Sequence, residues 1–488
     1  MKKFASEKAL IPVWLSLLAL PLVWFSGTTW ESDSDDLIPT LISIENWRFF
    51  FWGHSRFGTL VPLLAKPFTD MKTNLLVQNY IHAISLIIFA FAIAKVFYRY
   101  RGKSATRMNI YMLLILIFCL LNPTYLKHLI SGLPYAAPLG LFGICLLLIH
   151  SKLGNSIVLP LNAILIAISC WINPLNGYYL FPLLLALIGV KKYRNIYREL
   201  ALGYFLLTFG IFFIVLGLAN GEISGTVAPS FAAFHVYNWW LSLFLIQIAL
   251  VIWALVRKEF RRHNSIYFGF AITWISVLAL SILRHINLNQ YAPRYFITGT
   301  FVSMCLTMIV VEGEISRSQK VQKVALRIAN FLRIKLLLVL TLIALMLANI
   351  YIVTNLSRDY PLKEPHKTLM ASLFADTQEP FTFSSGDFWY TWPTKLFVSN
   401  PEDIFVTSFE TQFQYDVNSD SKKTIQSRFK DGDLGLCFGQ LNECNDQIKS
   451  AVYRMYGAFD VKVETFDSKL LAKKPTLVHS LRLKITLK

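Results

Sequence analysis

The chain is 488 residues long, 55% hydrophobic and only 16% charged, with a mean hydropathy of +0.49. Soluble domains carry about a quarter charged residues, so this composition excludes a water-soluble globular protein, and the clustering of polar residues between long apolar runs excludes a disordered one. The formal charge of +18 sits mostly in short loops between those runs, with no interleaved aromatic and basic surface, which excludes nucleic acid and makes the lipid bilayer the solvent.

A spanning helix needs roughly twenty apolar residues to cross about 30 Å. In chain order the candidate runs are 9–26, 75–97, 108–121, 135–150, 157–171, 178–190, 200–218, 239–256, 266–283, 295–311 and 336–354. Lys2 and Lys3 before the first run imitate a signal peptide, but no small-x-small cleavage site precedes Trp30, so the run is read as retained. Asn122-Pro123 and Pro134 interrupt the stretch 108–150 and admit tilted or re-entrant helices there.

Basic residues alternate between successive loops. One set of loops holds Lys2, Lys3 and Lys8; Arg99, Arg101, Lys103 and Arg107; Lys152; Lys191 to Arg198; Arg257 to Arg262; and Arg317 to Arg333. The other set holds only Arg48, Arg56, Lys66, Lys72, Lys127, Arg284 and Arg294. The excess is about threefold and recurs at every crossing, which predicts a cytoplasmic N-terminus and places everything from Arg358 onward outside.

After the last run the composition turns polar, with alternating stretches at 396–399, 403–407 and 481–487 and turn signals at Ser385-Gly386-Asp387 and Asp431-Gly432-Asp433. The expected architecture is an all-α polytopic membrane domain of about eleven transmembrane helices at 1–356, followed by a small extracytoplasmic α/β domain at 357–488. Cys119, Cys145, Cys170 and Cys305 fall inside apolar runs, where a thiol behaves as a small hydrophobe. Cys437 and Cys444 fall together in the outer domain, where an oxidising compartment favours a disulfide between them.

The chemistry gathers on the outer side. The first outer loop, 27–73, is the longest and opens with Glu31, Asp33, Asp35 and Asp36. Glu31 and Asp33 read as a solvated collar, whereas the adjacent pair Asp35-Asp36 is a candidate general base. The aromatic run from Trp47 to Gly58 is expected to form an interfacial helix, with Arg48, His54 and Arg56 within reach of lipid phosphates. A second candidate, Arg284-His285-Ile286-Asn287-Leu288-Asn289-Gln290-Tyr291-Ala292-Pro293-Arg294-Tyr295, puts Arg284 and Arg294 on the outer side, against the topological trend. An interfacial anchor accounts for such an arginine; so does a bound phosphate. Asn122, Lys127, His128, Asn173, Asn176, His235 and Asn238 read as caps or as partners of backbone groups freed by Pro123 and Pro174. No P-loop, dinucleotide-binding glycine pattern or zinc-type Cys/His spacing occurs.

A single long span leading into a large acidic outer loop, about eleven spans in all and an outer C-terminal domain resemble the GT-C superfamily of polyprenyl-phosphate-sugar-dependent glycosyltransferases. Protein mannosyltransferases and the bacterial lipid A aminoarabinose transferase belong to it. The likeness in sequence rests on Ser34-Asp35-Asp36, on Asn289-Gln290-Tyr291-Ala292-Pro293-Arg294-Tyr295 and on Gly386-Asp387-Phe388-Trp389-Tyr390-Thr391-Trp392-Pro393. The mannosyltransferases show an Asp-Glu pair where this chain has Asp-Asp.

That resemblance implies Asp36 or Asp35 as the base. It implies a polyprenyl-phosphate-linked sugar as donor, with Arg294, Arg284, His54 and Arg56 on its phosphate, and an acceptor glycan, lipid or protein of the cell envelope. The location implied is the bacterial inner membrane. No metal ligands are assigned, and the scheme requires no cofactor while admitting a divalent cation. The rival reading is a transporter, flippase or non-catalytic component of polysaccharide assembly. Transporters place polar groups in mid-span, whereas here they concentrate on one side of the membrane.

Overall fold

The computed structural model describes residues 34–45, 47, 49–51, 58–101, 129–130, 134–173, 199, 203, 238–256, 267, 269–271, 273–275, 277–278, 295–315, 383–386, 391, 405–408, 433–456, 459–470 and 477–487. The expected spans at 9–26, 108–121, 178–190 and 336–354 lie outside these residues, as does that at 200–218 apart from Gly203. The chain divides into two compact units. One comprises Met1–Ser26, Arg56–Gly58 and Asn79–Thr354; the other comprises Gly27–Ser55, Thr59–Gln78 and Asn355–Lys488.

The first unit is helical. Its described elements are residues 79–101 of α3 (Met71–Arg101), α4 (Ala136–Ile149), α5 (Asn155–Ile172), α6 (Asn238–Val256) and α7 (Ile297–Ile315). Each coincides with an apolar run, and Thr73–Val96 within α3 and all of α5 are long and apolar enough to cross a membrane. Helix α5 shows the bilayer as solvent. Val158, Asn162, Ile166 and Ser169 recur at helical spacing on a buried face, while Ile157, Leu161 and Ile164 are exposed. Helix α6 likewise exposes Leu245, Ile246, Ile252, Trp253 and Val256, an apolar surface that water would not tolerate.

Glycine sets the closest approach. A Cβ on Gly140 would lie 2.6 Å from the Ser85 Cβ, and one on Gly143 would lie 2.9 Å from the Phe89 Cα. The backbones of α3 and α4 therefore meet as small-residue interfaces allow in a membrane, where packing rather than water drives association. Because Ser85 pairs with Gly140 and Phe89 with Gly143, the two helices run in the same direction. Helix α5 runs back along α4: Ser169 Oγ donates to the Pro138 carbonyl at 3.3 Å, and Asn173 Nδ2 donates to the Pro134 carbonyl at 3.3 Å. Asn173 serves a backbone group as expected, but the group is the Pro134 carbonyl rather than one freed by Pro123 or Pro174.

Helices α6 and α7 pack together around one amide. Gln247 Nε2 donates to the hydroxyl of Ser303 and, at 3.0 Å, to Thr307 Oγ1; Gln247 Oε1 accepts from Trp274 Nε1 at 2.7 Å. Every polar atom of this buried side chain is partnered, and the amide joins three segments.

The second unit holds α1 (Ser34–Ile44), α2 (Leu60–Ala65), residues 71–78 of α3 and a mixed sheet. Helix α1 buries Leu37, Ile38, Leu41, Ile42 and Ser43. Asp70 caps α3, accepting from the Thr73 amide at 2.8 Å and the Thr73 hydroxyl at 2.7 Å. Asn74 then ties the loop together: its Nδ2 reaches Ser43 Oγ at 2.8 Å, the Ala65 carbonyl at 3.0 Å and the Phe68 carbonyl at 2.8 Å. The interfacial helix expected over the aromatic run does not form where the run is described. Trp47, Phe49, Phe50 and Phe51 are non-helical. Trp47 Nε1 donates instead to the Thr59 carbonyl at 3.1 Å, a bond that folds the run back on the loop.

Five strands, β1 (Phe383–Gly386), β2 (Phe405–Ser408), β3 (Asp433–Phe438), β4 (Phe459–Leu470) and β5 (Leu477–Leu487), form one sheet in the order β2-β1-β3-β5-β4. β1 is parallel to β2 and β3, while β5 is antiparallel to β3 and β4. Helix α8 (Leu441–Tyr456) joins β3 to β4 and packs on the sheet. A disulfide links Cys437 at the end of β3 to Cys444 in the first turn of α8, with Cα atoms 6.0 Å apart.

Candidate functional site

Asp35 and Asp36 are the second and third residues of α1. A helical first turn has backbone N–H groups without intrahelical partners and the positive end of the macrodipole, so acidic residues are favoured there. Pro39, inside the same helix, lacks the N–H that would bond the Asp35 carbonyl. His54, Arg56, Arg284 and Arg294 lie outside the described residues. Gly58, two residues after Arg56, is pinned: its amide donates to the carbonyls of Trp171 at 2.9 Å and Ile172 at 3.2 Å. A Cβ there would lie 2.6 Å from the Trp171 ring. The end of the basic, aromatic run is thereby held against the C-terminus of α5.

Two residues without charge or motif stand out in the helical unit, and the sequence reading passed over both. Asn79 and His82 lie three apart on α3, hence on neighbouring positions of one helix face. They are 8% and 1% exposed, and neither Asn79 Oδ1 nor His82 Nδ1 has a hydrogen-bond partner among the described residues. The next polar residue on α3, Ser85, is satisfied by the Ile81 carbonyl at 2.7 Å. The one available signal was an amide and an imidazole inside the apolar run 75–97.

Their level within the helical unit follows from the glycine contacts. His82 precedes Ser85 by three residues, about 4.5 Å of rise, and Ser85 faces Gly140. His82 is therefore level with the first turn of α4, at the end of this helix group where Asn173 meets Pro134 and where Gly58 docks. Asn162, deeper in α5 beside Cys145, has both polar atoms of its amide unpartnered among the described residues. No group of three His, Cys, Asp or Glu suited to a metal ion occurs among the described residues.

No protein-family profile matches the chain, and no curated protein matches it in sequence. Solved structures do match. The helical architecture defines the class as a polytopic helical membrane protein, and its likeness runs along the whole chain. The fold is that of ArnT from Cupriavidus metallidurans, a GT-C lipid A aminoarabinose transferase, crystallised bound to undecaprenyl phosphate. The TM-score to that structure is 0.53 at 11% identity, covering 98% of each chain. The apo structure of the same protein matches with a TM-score of 0.52 at 11% identity, over 97% of this chain and 98% of that one. The resemblance expected from the acidic first loop and the outer C-terminal region thus holds at the level of fold.

Proposed function

We propose that this protein is an integral membrane glycosyltransferase that moves a sugar from a polyprenyl-phosphate-linked donor to a cell-envelope acceptor on the extracytoplasmic side. The observation that carries this reading is the end-to-end likeness to a fold that binds undecaprenyl phosphate. It is favoured over a transporter or scaffold because the acidic pair and the outer arginines supply the groups that glycosyl transfer needs. In this scheme Asp36 or Asp35 takes the proton of the acceptor hydroxyl as its oxygen attacks the anomeric carbon. The bond to the phosphate breaks with inversion, and polyprenyl phosphate leaves with the electron pair. Arg294, with Arg284, His54 and Arg56, meets its charge. The N-terminus is cytoplasmic, the membrane domain is 1–356 and the outer domain is 357–488.

Asp35→Asn and Asp36→Asn test the reading. Asparagine keeps the size and removes the basicity. Loss of the general base lowers the transfer rate by about two to four decades, read as polyprenyl phosphate released from a lipid-linked sugar by purified protein in nanodiscs. If both single variants insert and transfer at the wild-type rate, neither acid is the base.

A further inference from the structure

A buried polar atom in a membrane segment is costly to leave without a partner, so almost all such atoms have one. Gln247, Asn173 and Ser85 obey this rule. Asn79 Oδ1 and His82 Nδ1 depart from it together on one face of α3. The chemistry of the two atoms restricts what could complete them. An amide oxygen only accepts, and Nδ1 of an Nε2–H imidazole also accepts. Two acceptors side by side repel a phosphate and invite hydroxyl donors. A pair of hydroxyls on adjacent carbons of a sugar ring offers two donors on one edge, matched to two acceptors one helical turn apart.

We propose that Asn79 and His82 form a hydroxyl-binding subsite for the sugar of the lipid-linked donor. The subsite lies one turn inside the end of α4, at the end of the helix group where the Gly58 amide bonds to the C-terminus of α5. The proposal rests on the glycosyltransferase reading and assigns to it the part of the donor that the acids and arginines do not contact. It also gives a use to two acceptor atoms that the described residues leave without partners.

The test compares two probes on the full-length protein in nanodiscs: undecaprenyl phosphate alone, and a panel of undecaprenyl-phosphate monosaccharides comprising a hexose, a pentose and an N-acetylhexosamine. In the wild type at least one glycosylated lipid binds more tightly than the bare lipid, by about tenfold per hydrogen bond gained. Asn79→Leu and His82→Phe each reduce that increment, the double variant removes it, and binding of bare undecaprenyl phosphate stays within about twofold of wild type. Melting temperatures of the variants hold or rise, which separates a ligand subsite from an internal structural pair.

His82→Cys supplies a readout in a polar background. Its maleimide labelling, mapped by peptide mass spectrometry, is blocked by the glycosylated lipid and not by the bare one. Failure of bare undecaprenyl phosphate to bind overturns the glycosyltransferase reading and this subsite with it. Binding of the bare lipid with no sugar increment in the wild type, or an increment that survives in the double variant, overturns the subsite alone. So does a fall of several degrees in the melting temperature of both apolar variants.

Discussion

Two buried polar insertions in apolar helices, Gln247 in α6 and the pair Asn79–His82 in α3, look alike in the sequence and behave differently in the fold. Gln247 spends its amide on Ser303, Thr307 and Trp274, so that helix packing and hydrogen bonding are one event. Asn79 Oδ1 and His82 Nδ1 are equally buried and have no partner among the described residues. The difference teaches that polarity within a span is not itself a functional signal. What separates the two is that the described helices complete every polar atom of Gln247 and leave these two acceptor atoms of the pair open.

The comparison can be broken or sharpened by substitution. The largest effect is expected from Gly140→Leu, which drives a side chain into the Ser85 contact beneath His82. Overpacking of this kind costs about 3 kcal/mol, read as a lowered midpoint in thermal unfolding of the detergent-solubilised protein. Loss of glycosylated-lipid binding should accompany it, since α3 and α4 separate. Cys437→Ser gives a reference loss confined to the sheet. Opening so short a loop costs about 2–3 kcal/mol by the chain-entropy account, and wild type melted with reductant should then match the variant.

Gln247→Leu comes next. It strands the Trp274 N–H and removes the donor to two hydroxyls, for about 1–3 kcal/mol. Its donor binding should be unchanged at temperatures where the protein is folded. Smallest is the stability change of Asn79→Leu and His82→Phe, about zero or a slight gain, because the two acceptor atoms removed have no partner among the described residues. A loss equal to that of Gln247→Leu in the same melting experiment would make the two insertions the same kind of feature.

Much of the helical unit was legible because lipid imposes a simple rule on sequence. The run 135–150 becomes α4, Ala136–Ile149, since Pro134 sets its start and the polar Ser151-Lys152 follows its end. Helix α3 begins at Met71, ahead of the expected run, because Asp70 supplies a cap that hydropathy does not register. The aromatic run misled for a related reason. Its composition is that of an interfacial helix, but a tryptophan N–H that finds the Thr59 carbonyl favours a turn back on the loop. Strands at 405–408 and 477–487 were signalled by alternation, whereas their order was not, since alternation marks a face and leaves the partner unspecified.

The candidate site divides along the same line. Asp35 and Asp36 drew notice because charge beside a span is rare. Asn79 and His82 did not, because an uncharged polar residue within a span is more often partnered, as Gln247 is.

The strand order has a consequence for how the protein is made. β3 and β4 are not paired with each other; β5, which follows both in the sequence, fills the place between them and bonds to both. The sheet therefore stays split until β5 has been made and has entered the gap. A nascent chain can close the Cys437–Cys444 clasp as soon as that corner has emerged, but it cannot seal the sheet. Deleting residues 477–487 would remove an interior strand, and the pairing of β5 is the step that joins the two halves of the sheet.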